Sequence, residues 1–254
     1  MSTPEARRIR LAVWLRLPLD DTMAALEALA ASPRPATALA AMAVGLIVTW
    51  FVYVPVHELL HVAGCVLTGG QVSELELDPL YGGALLARFL PFVVPGGEYA
   101  GRLSGFDTGG SDGIYLATVF APYLLSIAIG VPLLRLCARR ARPLLVGAAA
   151  VLALAPFYNV VGDYYEMGSI LVTRAASLGS GGAAPPHAGL RSDDLIQLVS
   201  RLGSEPQTLD LPEDSWIGVA WLLVGLGAAL SVLLAFLSYG AGSVWADALL
   251  RRRR

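Results

Sequence analysis

The chain has 254 residues, of which 56% are hydrophobic and only 15% are charged, and its mean hydropathy is +0.62. Soluble domains carry about one quarter charged residues, so this composition excludes an ordinary soluble protein and predicts an all-α polytopic membrane protein. The net charge of −2, with no basic patch interleaved with aromatic residues, gives no support for a nucleic-acid partner.

The first predicted element is an amphipathic helix over about residues 5–30, in a segment 1–36 that bears five arginines. Such a helix can lie at the membrane surface. An apolar stretch at 37–68 follows, and at ~1.5 Å per residue it is longer than a ~30 Å hydrocarbon core. It must therefore tilt, kink or protrude, and Pro55 is the expected position of a kink.

This apolar stretch contains the sequence His57-Glu58-Leu59-Leu60-His61. Two histidines four residues apart project from one face of a helix and can bind one zinc ion, next to a glutamate that can take a proton from water. Polar groups at this depth in a bilayer are costly, which favours a functional role. The alternative is a pair that only hydrogen-bonds within a helix bundle. The third histidine, His187, lies in a Gly- and Pro-rich loop and is predicted to be solvated.

Alternating polar and apolar residues at 74–78 predict a short β-strand or hairpin after this helix. The apolar run at about 84–94 is too short to span a membrane, so it can lie at the interface, re-enter the bilayer or dock a partner. Two further spans are predicted, at 114–136 and at 143–173.

A Gly-, Ser- and Pro-rich and then acidic loop is predicted at 174–215, followed by a fourth span and a tail of four arginines. That loop composition suits disorder, or order only against another protein. The predicted organisation is an interfacial segment at 1–36, a three-span core at 37–173, the extramembrane loop, and a fourth transmembrane helix with a basic tail at 216–254.

Four spans place both termini on the same side of the membrane. Thirteen arginines fall on that side and five on the other. The positive-inside rule therefore predicts cytoplasmic termini, in a protein of the bacterial inner membrane. The same count places the histidine pair nearer the outer face.

A catalytic zinc site uses three protein ligands and keeps one position for water, so a third ligand must come from another span. Asp163 lies 20 residues into its predicted span, as His57 does in its own, and both spans run in the same direction. Asp163 is the first candidate, and Glu166, one turn on, is the alternative third ligand. The other possibility is that the helix ends near Gly162 and both carboxylates face water.

Asn159, one turn before Asp163, can hydrogen-bond a substrate backbone, orient a ligand, or simply bond within the bundle.

Together these features resemble the site-2 protease family of intramembrane zinc metalloproteases. The resemblance covers about residues 45–170. Its first motif is the His-Glu-x-x-His sequence inside a span, and its second is an Asn followed by a metal-binding Asp in a later span. Between them lies a short alternating strand that ends in a Pro-Leu-x-Gly-Gly turn, here at 79–83.

The resemblance implies a bilayer-embedded enzyme that cleaves membrane-embedded segments of a protein or peptide. Glu58 would be the general base, and the Zn²⁺ ligands would be His57, His61 and Asp163. The family site lies toward the cytoplasmic face, opposite to the face that the arginine count gives. The strand at 72–80 can receive an unwound substrate by edge pairing.

The chain also departs from the family pattern. Leu60 stands where the first motif usually has glycine, and Tyr164 follows Asp163 where the second motif has glycine. The spacing from Asn159 to Asp163 is shorter and lacks the usual proline. A second interpretation is therefore a catalytically inactive, protease-like subunit that keeps a structural or relic zinc site and acts as a scaffold in a larger membrane complex. A transporter is disfavoured because the sequence has no internal repeat.

Overall fold

The computed structural model describes residues 4–140, 142–179, 190–192, 194–209 and 217–251. Within these ranges the chain is mostly helical with one small sheet, which confirms the predicted helical architecture. The helices are α1 (Pro4–Ala30), α2 (Pro35–Leu67), α3 (Gly83–Leu86), α4 (Asp112–Phe120), α5 (Tyr123–Leu125), α6 (Val131–Arg140), α7 (Pro143–Tyr158), α8 (Asp163–Gly179), α9 (Leu195–Ser204) and α10 (Ile217–Arg251). The strands are β1 (Gln71–Leu77), β2 (Val93–Pro95) and β3 (Gly101–Asp107).

Three stretches of the described chain are long and apolar enough to cross a membrane: Pro35–Leu67, Pro143–Leu178 and Ile217–Arg251. A fourth is added if the bent pair Asp112–Phe120 and Tyr123–Cys137 forms one span. Their length and composition support an integral membrane protein.

The span predicted at 114–136 is not one straight helix. Its two halves are bent by 49°. The bend lies at Pro122, which has no N–H to donate to the preceding turn. A π-helical segment at Ser126–Gly130 follows the bend. In contrast, α2 continues as one helix through Pro55.

The span predicted at 143–173 consists of two helices, α7 and α8, with a short turn between them. The carbonyl of Asn159 accepts hydrogen bonds from the amides of Gly162 (3.2 Å) and Tyr164 (3.1 Å). These bonds close the turn, so that α8 begins at Asp163. The break therefore places the predicted ligand in the first turn of a new helix.

The helices carrying the predicted motifs pack with their backbones in close approach. A methyl group added at Gly45 of α2 would overlap the carbonyl of Leu144, and one at Gly147 of α7 would overlap that of Met42. Small residues are what allow helices in lipid to pack this closely. α8 contacts α10 in the same way, at Gly168.

The predicted strand after α2 is β1, and it is the central strand of a sheet with the order β2-β1-β3. β2 runs parallel to β1 over Leu75–Leu77, and β3 runs antiparallel to it. Both edges of β1 are therefore paired with neighbouring strands over Leu75–Leu77. The prediction that this strand receives a substrate at its edge is wrong for these residues. The apolar run predicted at 84–94 contributes to α3 and β2, with Leu85 and Phe89 exposed.

The amphipathic helix predicted at 5–30 is α1. Ala25 and Leu29 are buried in a core shared with α6, α7 and α10. The end of α1 is therefore packed on the bundle. Along the whole of α1 the apolar and polar residues are not separated onto opposite faces, so the helix forms as predicted but is not amphipathic.

A charged cluster joins α1 to this bundle. Arg135 of α6 donates from Nε to Asp21 of α1 at 2.7 Å and from Nη1 to Asp247 of α10 at 3.1 Å. The hydroxyl of Tyr239 also donates to Asp21, at 3.0 Å. The Arg135 and Asp21 side chains are only 12% and 18% exposed. A mostly buried pair of this kind is costly to break from one side.

Asp21→Asn should lower the free energy of unfolding by about 3 kcal/mol, because Arg135 loses its buried counter-charge while Asp247 remains beside it. Asp247→Asn should cost less than about 1 kcal/mol, since this carboxylate is 55% exposed. Thermal unfolding of both variants in the same detergent measures the difference. Equal losses would contradict the assignment of the stabilising contact to Asp21.

Part of the loop predicted at 174–215 is folded. Leu198 and Leu202 of α9 are buried in a cluster with residues of α8 and α10. This part of the predicted loop is therefore packed against the chain itself. Residues 180–189, with the predicted solvated His187, lie outside the described residues, as do the last three arginines. The four-part division made from the sequence stays a prediction.

Candidate metal centre

The three residues predicted as zinc ligands meet at one point. His57 and His61 are both buried on α2, and Asp163 begins α8. The two histidine Nε2 atoms are 3.1 Å apart. Asp163 Oδ2 lies 3.1 Å from Nε2 of His57 and 3.3 Å from Nε2 of His61. A residue 106 positions away in sequence thus completes a triangle with the histidine pair.

The size of this triangle fits a zinc ion. Nitrogen and oxygen ligands bind zinc at about 2.0–2.2 Å, and tetrahedral angles then separate two ligand atoms by about 3.3 Å. The three edges, at 3.1, 3.1 and 3.3 Å, are close to that separation.

The hydrogen atoms available to the triangle depend on the protonation of the two histidines. The Thr118 carbonyl can only accept, so Nδ1 of His61 carries a hydrogen and Nε2 of the neutral ring has a bare lone pair. Asp163 Oδ2 is an acceptor as well. If both rings are neutral, only His57 Nε2 can carry a hydrogen. The two histidine Nε2 atoms and Asp163 Oδ2 then share at most that one hydrogen. Either a protonated histidine ring that pairs with Asp163 or a divalent cation would compensate these atoms.

The outward-facing nitrogens of both histidines have partners. His57 Nδ1 lies 2.7 Å from the hydroxyl of Tyr53, one turn earlier on α2. His61 Nδ1 lies 2.9 Å from the carbonyl oxygen of Thr118 on α4. Metal-binding histidines characteristically use the second ring nitrogen in this way, which fixes the ring orientation and tautomer.

The carboxylates of α8 face a cavity and not open solvent. The side chain of Asp163 is 20% exposed, and its Oδ2 accepts a hydrogen bond from the Tyr123 hydroxyl at 2.5 Å. Glu166 is buried and accepts from the Tyr115 hydroxyl at 2.5 Å, outside the three-residue cluster. Glu166 is therefore buried, whereas Asp163 keeps partial exposure at the cavity wall. Asn159 also borders the cavity, and its side-chain amide donates to the Ala155 carbonyl at 3.2 Å.

The predicted general base lies beside the cluster, against a glycine. Glu58 is buried and borders the same cavity as His57. A methyl group at Gly101 would lie 2.5 Å from Glu58 Cγ and 2.9 Å from Cδ. Because Gly101 of β3 has no side chain, the side chain of Glu58 can occupy the space beside it.

The cavity has a volume of about 800 Å³ and joins the helices to β3. This volume lies within the range of about 300–1,000 Å³ that is typical of ligand sites. Its wall combines the charged cluster with the aromatic residues Trp50, Tyr115 and Tyr158. At its margin, Arg191 donates to both carboxylate oxygens of Asp112, at 2.6 and 3.3 Å.

Sequence reasoning missed the residues that surround the ligands. Tyr53 was detectable, because it lies four residues before His57 and therefore on the same face of α2. Tyr123, Thr118 and Gly101 gave no such signal, since only the tertiary structure brings their elements to the site.

No protein-family model, curated protein or solved structure matches this chain.

Proposed function

We propose that this chain is an intramembrane zinc metallopeptidase, similar to the site-2 proteases, which cleaves membrane-embedded segments of a protein or peptide. The observation that carries the proposal is the triangle of ligand atoms, with edges of 3.1 to 3.3 Å, in the wall of a cavity in a membrane-spanning chain. Within the described residues the cluster has three members. Three ligands and an open side are typical of catalytic zinc, whereas structural zinc is closed by four protein ligands.

The residues divide into ligands and a base. His57, His61 and Asp163 hold the ion. Zinc would supply an acidified water molecule and a polarised scissile carbonyl. The carboxylate of Glu58 accepts a proton from the attacking water and delivers it to the leaving amine. The backbone of Gly101 keeps this carboxylate at the cavity wall.

An extended substrate suits the cavity better than a helical one. β3 is an edge strand in the described sheet, and its residues 101–104 border the cavity. A peptide segment unwound from a helix can pair with such an edge through main-chain hydrogen bonds. Asn159 keeps its proposed substrate-binding role: one of its amide hydrogens is bonded to Ala155, and the other, with Oδ1, can serve a peptide backbone.

With the bent pair Asp112–Phe120 and Tyr123–Cys137 counted as a fourth span, the arginine distribution supports cytoplasmic termini. We place the protein in a bacterial inner membrane. The histidine pair lies in the half of α2 remote from its N-terminus. In this orientation the cavity and the sheet lie toward the outer face.

Metal removal tests the proposal. The purified protein should contain about one zinc per chain by elemental analysis. It should cleave a transmembrane peptide that carries a fluorophore at one end and a quencher at the other. Treatment with 1,10-phenanthroline should remove the zinc and abolish cleavage, and added Zn²⁺ should restore both. A protein isolated without zinc that binds none on addition would overturn the proposal.

A further inference from the structure

The break in the bent span lies directly against the candidate metal centre. In a continuous helix, the carbonyl of Thr118 would accept a hydrogen bond from the amide of residue 122. That residue is Pro122, which has no N–H. The carbonyl is instead the acceptor for Nδ1 of His61, at 2.9 Å. The proline thus leaves a carbonyl unpaired within its own helix and available to a ligand.

The residue after the proline contacts a second ligand. The hydroxyl of Tyr123 donates to Oδ2 of Asp163 at 2.5 Å. The Tyr123 side chain is fully buried, and its ring packs edge-on to that of His57, with centroids 5.6 Å apart. It lies behind the ligands and does not border the cavity. Its position suits it to hold Asp163 and not to touch a substrate.

A glycine on α2 allows the break to come this close. Gly64 lies three residues after His61. A methyl group there would be 2.6 Å from Ala121 Cβ and 2.8 Å from the carbonyl oxygen of Ala117. The bent span therefore rests directly on the backbone of α2, one turn from the ligand that it contacts.

We propose that the break at Ala121–Pro122 is a ligand-positioning element: Pro122 orients His61 through the Thr118 carbonyl, and Tyr123 orients Asp163 through its hydroxyl. The inference rests on the proposed zinc site. Both residues act through other groups, so they are positioning residues. Loss of such outer contacts typically weakens metal binding by about 10- to 100-fold.

The test is the zinc affinity of full-length variants, measured by competition with a chelator. Tyr123→Phe removes only the hydroxyl that donates to Asp163. Its control is Tyr164→Phe, which removes an equally buried hydroxyl that donates to Ser238 at 2.7 Å. Pro122→Ala restores an amide at the break, and Pro132→Ala, in the same bent span, is its control. Each site variant should bind zinc about 10- to 100-fold more weakly than its control.

Two further measurements separate positioning from folding. Thermal unfolding of the metal-free proteins shows whether each variant is folded. If Pro122→Ala does not fold, the zinc affinity of Tyr123→Phe decides the test. The d–d absorption bands of the Co²⁺-loaded protein should shift in the site variants and stay unchanged in the controls.

The outcomes distinguish this inference from the proposed function. If the wild-type protein binds zinc and cleaves peptide, but Tyr123→Phe binds zinc as tightly as Tyr164→Phe with an unchanged Co²⁺ spectrum, the positioning inference is overturned and the peptidase remains. If the wild-type protein binds no zinc, both proposals fail.

Discussion

Glu58→Gln is expected to reduce peptide cleavage by about 10²- to 10⁴-fold, the usual contribution of a general base. Glutamine keeps the size of the side chain and its place against Gly101, but it cannot accept the proton from water. Because Glu58 is not in the three-ligand cluster, the zinc content should stay at the wild-type level. Cleavage of the quenched peptide and elemental analysis of the same preparation measure the two effects.

The control for this variant is Glu27→Gln, at an exposed position of α1 that does not border the cavity. It should leave both cleavage and zinc unchanged. Full cleavage by Glu58→Gln would contradict the assigned role. A wild-type protein that holds zinc but cleaves nothing, and whose stability is unaffected by Glu58→Gln, would instead support the alternative of an inactive subunit with a structural zinc site.

Asp163→Ala should remove most of the bound zinc and, with it, all measurable cleavage. The substitution leaves two histidines as ligands, which is one fewer than a catalytic zinc site uses. It also takes away the negative charge that offsets the cation in an apolar span. Zinc per chain, measured after dialysis against a weak chelator, should fall from about one to near zero.

Glu166→Gln is the matched control, because Glu166 lies one turn along the same helix and was the alternative third ligand. Its carboxylate contacts Tyr115 and lies outside the three-residue cluster, so this variant should keep its zinc. The reverse result, with zinc retained in Asp163→Ala and lost in Glu166→Gln, would show that Glu166 is the third ligand.

The sequence predicted the helical membrane architecture, the strand after α2 and the residues that meet at the cluster. Those predictions were possible because each depends on a local pattern: apolar length, alternation, or the spacing of His57 and His61. The meeting with Asp163 was predicted from the lengths and common direction of two spans, since residues equally deep in neighbouring helices can touch, although Glu166 remained the alternative.

The parts that sequence reasoning missed depend on contacts between distant segments. Nothing in the residues of β1 indicates that β2 will occupy one of its edges. Pro122 is visible in the sequence, but its consequence is not, because the freed Thr118 carbonyl matters only once α2 lies beside it. The folding of α9 within the loop predicted at 174–215 was missed for the same reason: Leu198 and Leu202 stand among polar residues, yet they pack with buried residues of α8 and α10.

The close contact between α2 and α7 has a consequence for the lipid environment. The 33-residue α2 and the 36-residue stretch formed by α7 and α8 both exceed the length that a bilayer core requires, and tilting is one way in which they can adjust to its thickness. With Gly45 and Gly147 at backbone contact, the two helices cannot tilt independently without separating main chains that touch. We therefore expect hydrophobic mismatch to rotate α2 and α7 as one body, with α8 joined to α7 through the turn that the Asn159 carbonyl closes. We therefore expect the histidines on α2 and the turn that leads to Asp163 to move together when the membrane thickness changes.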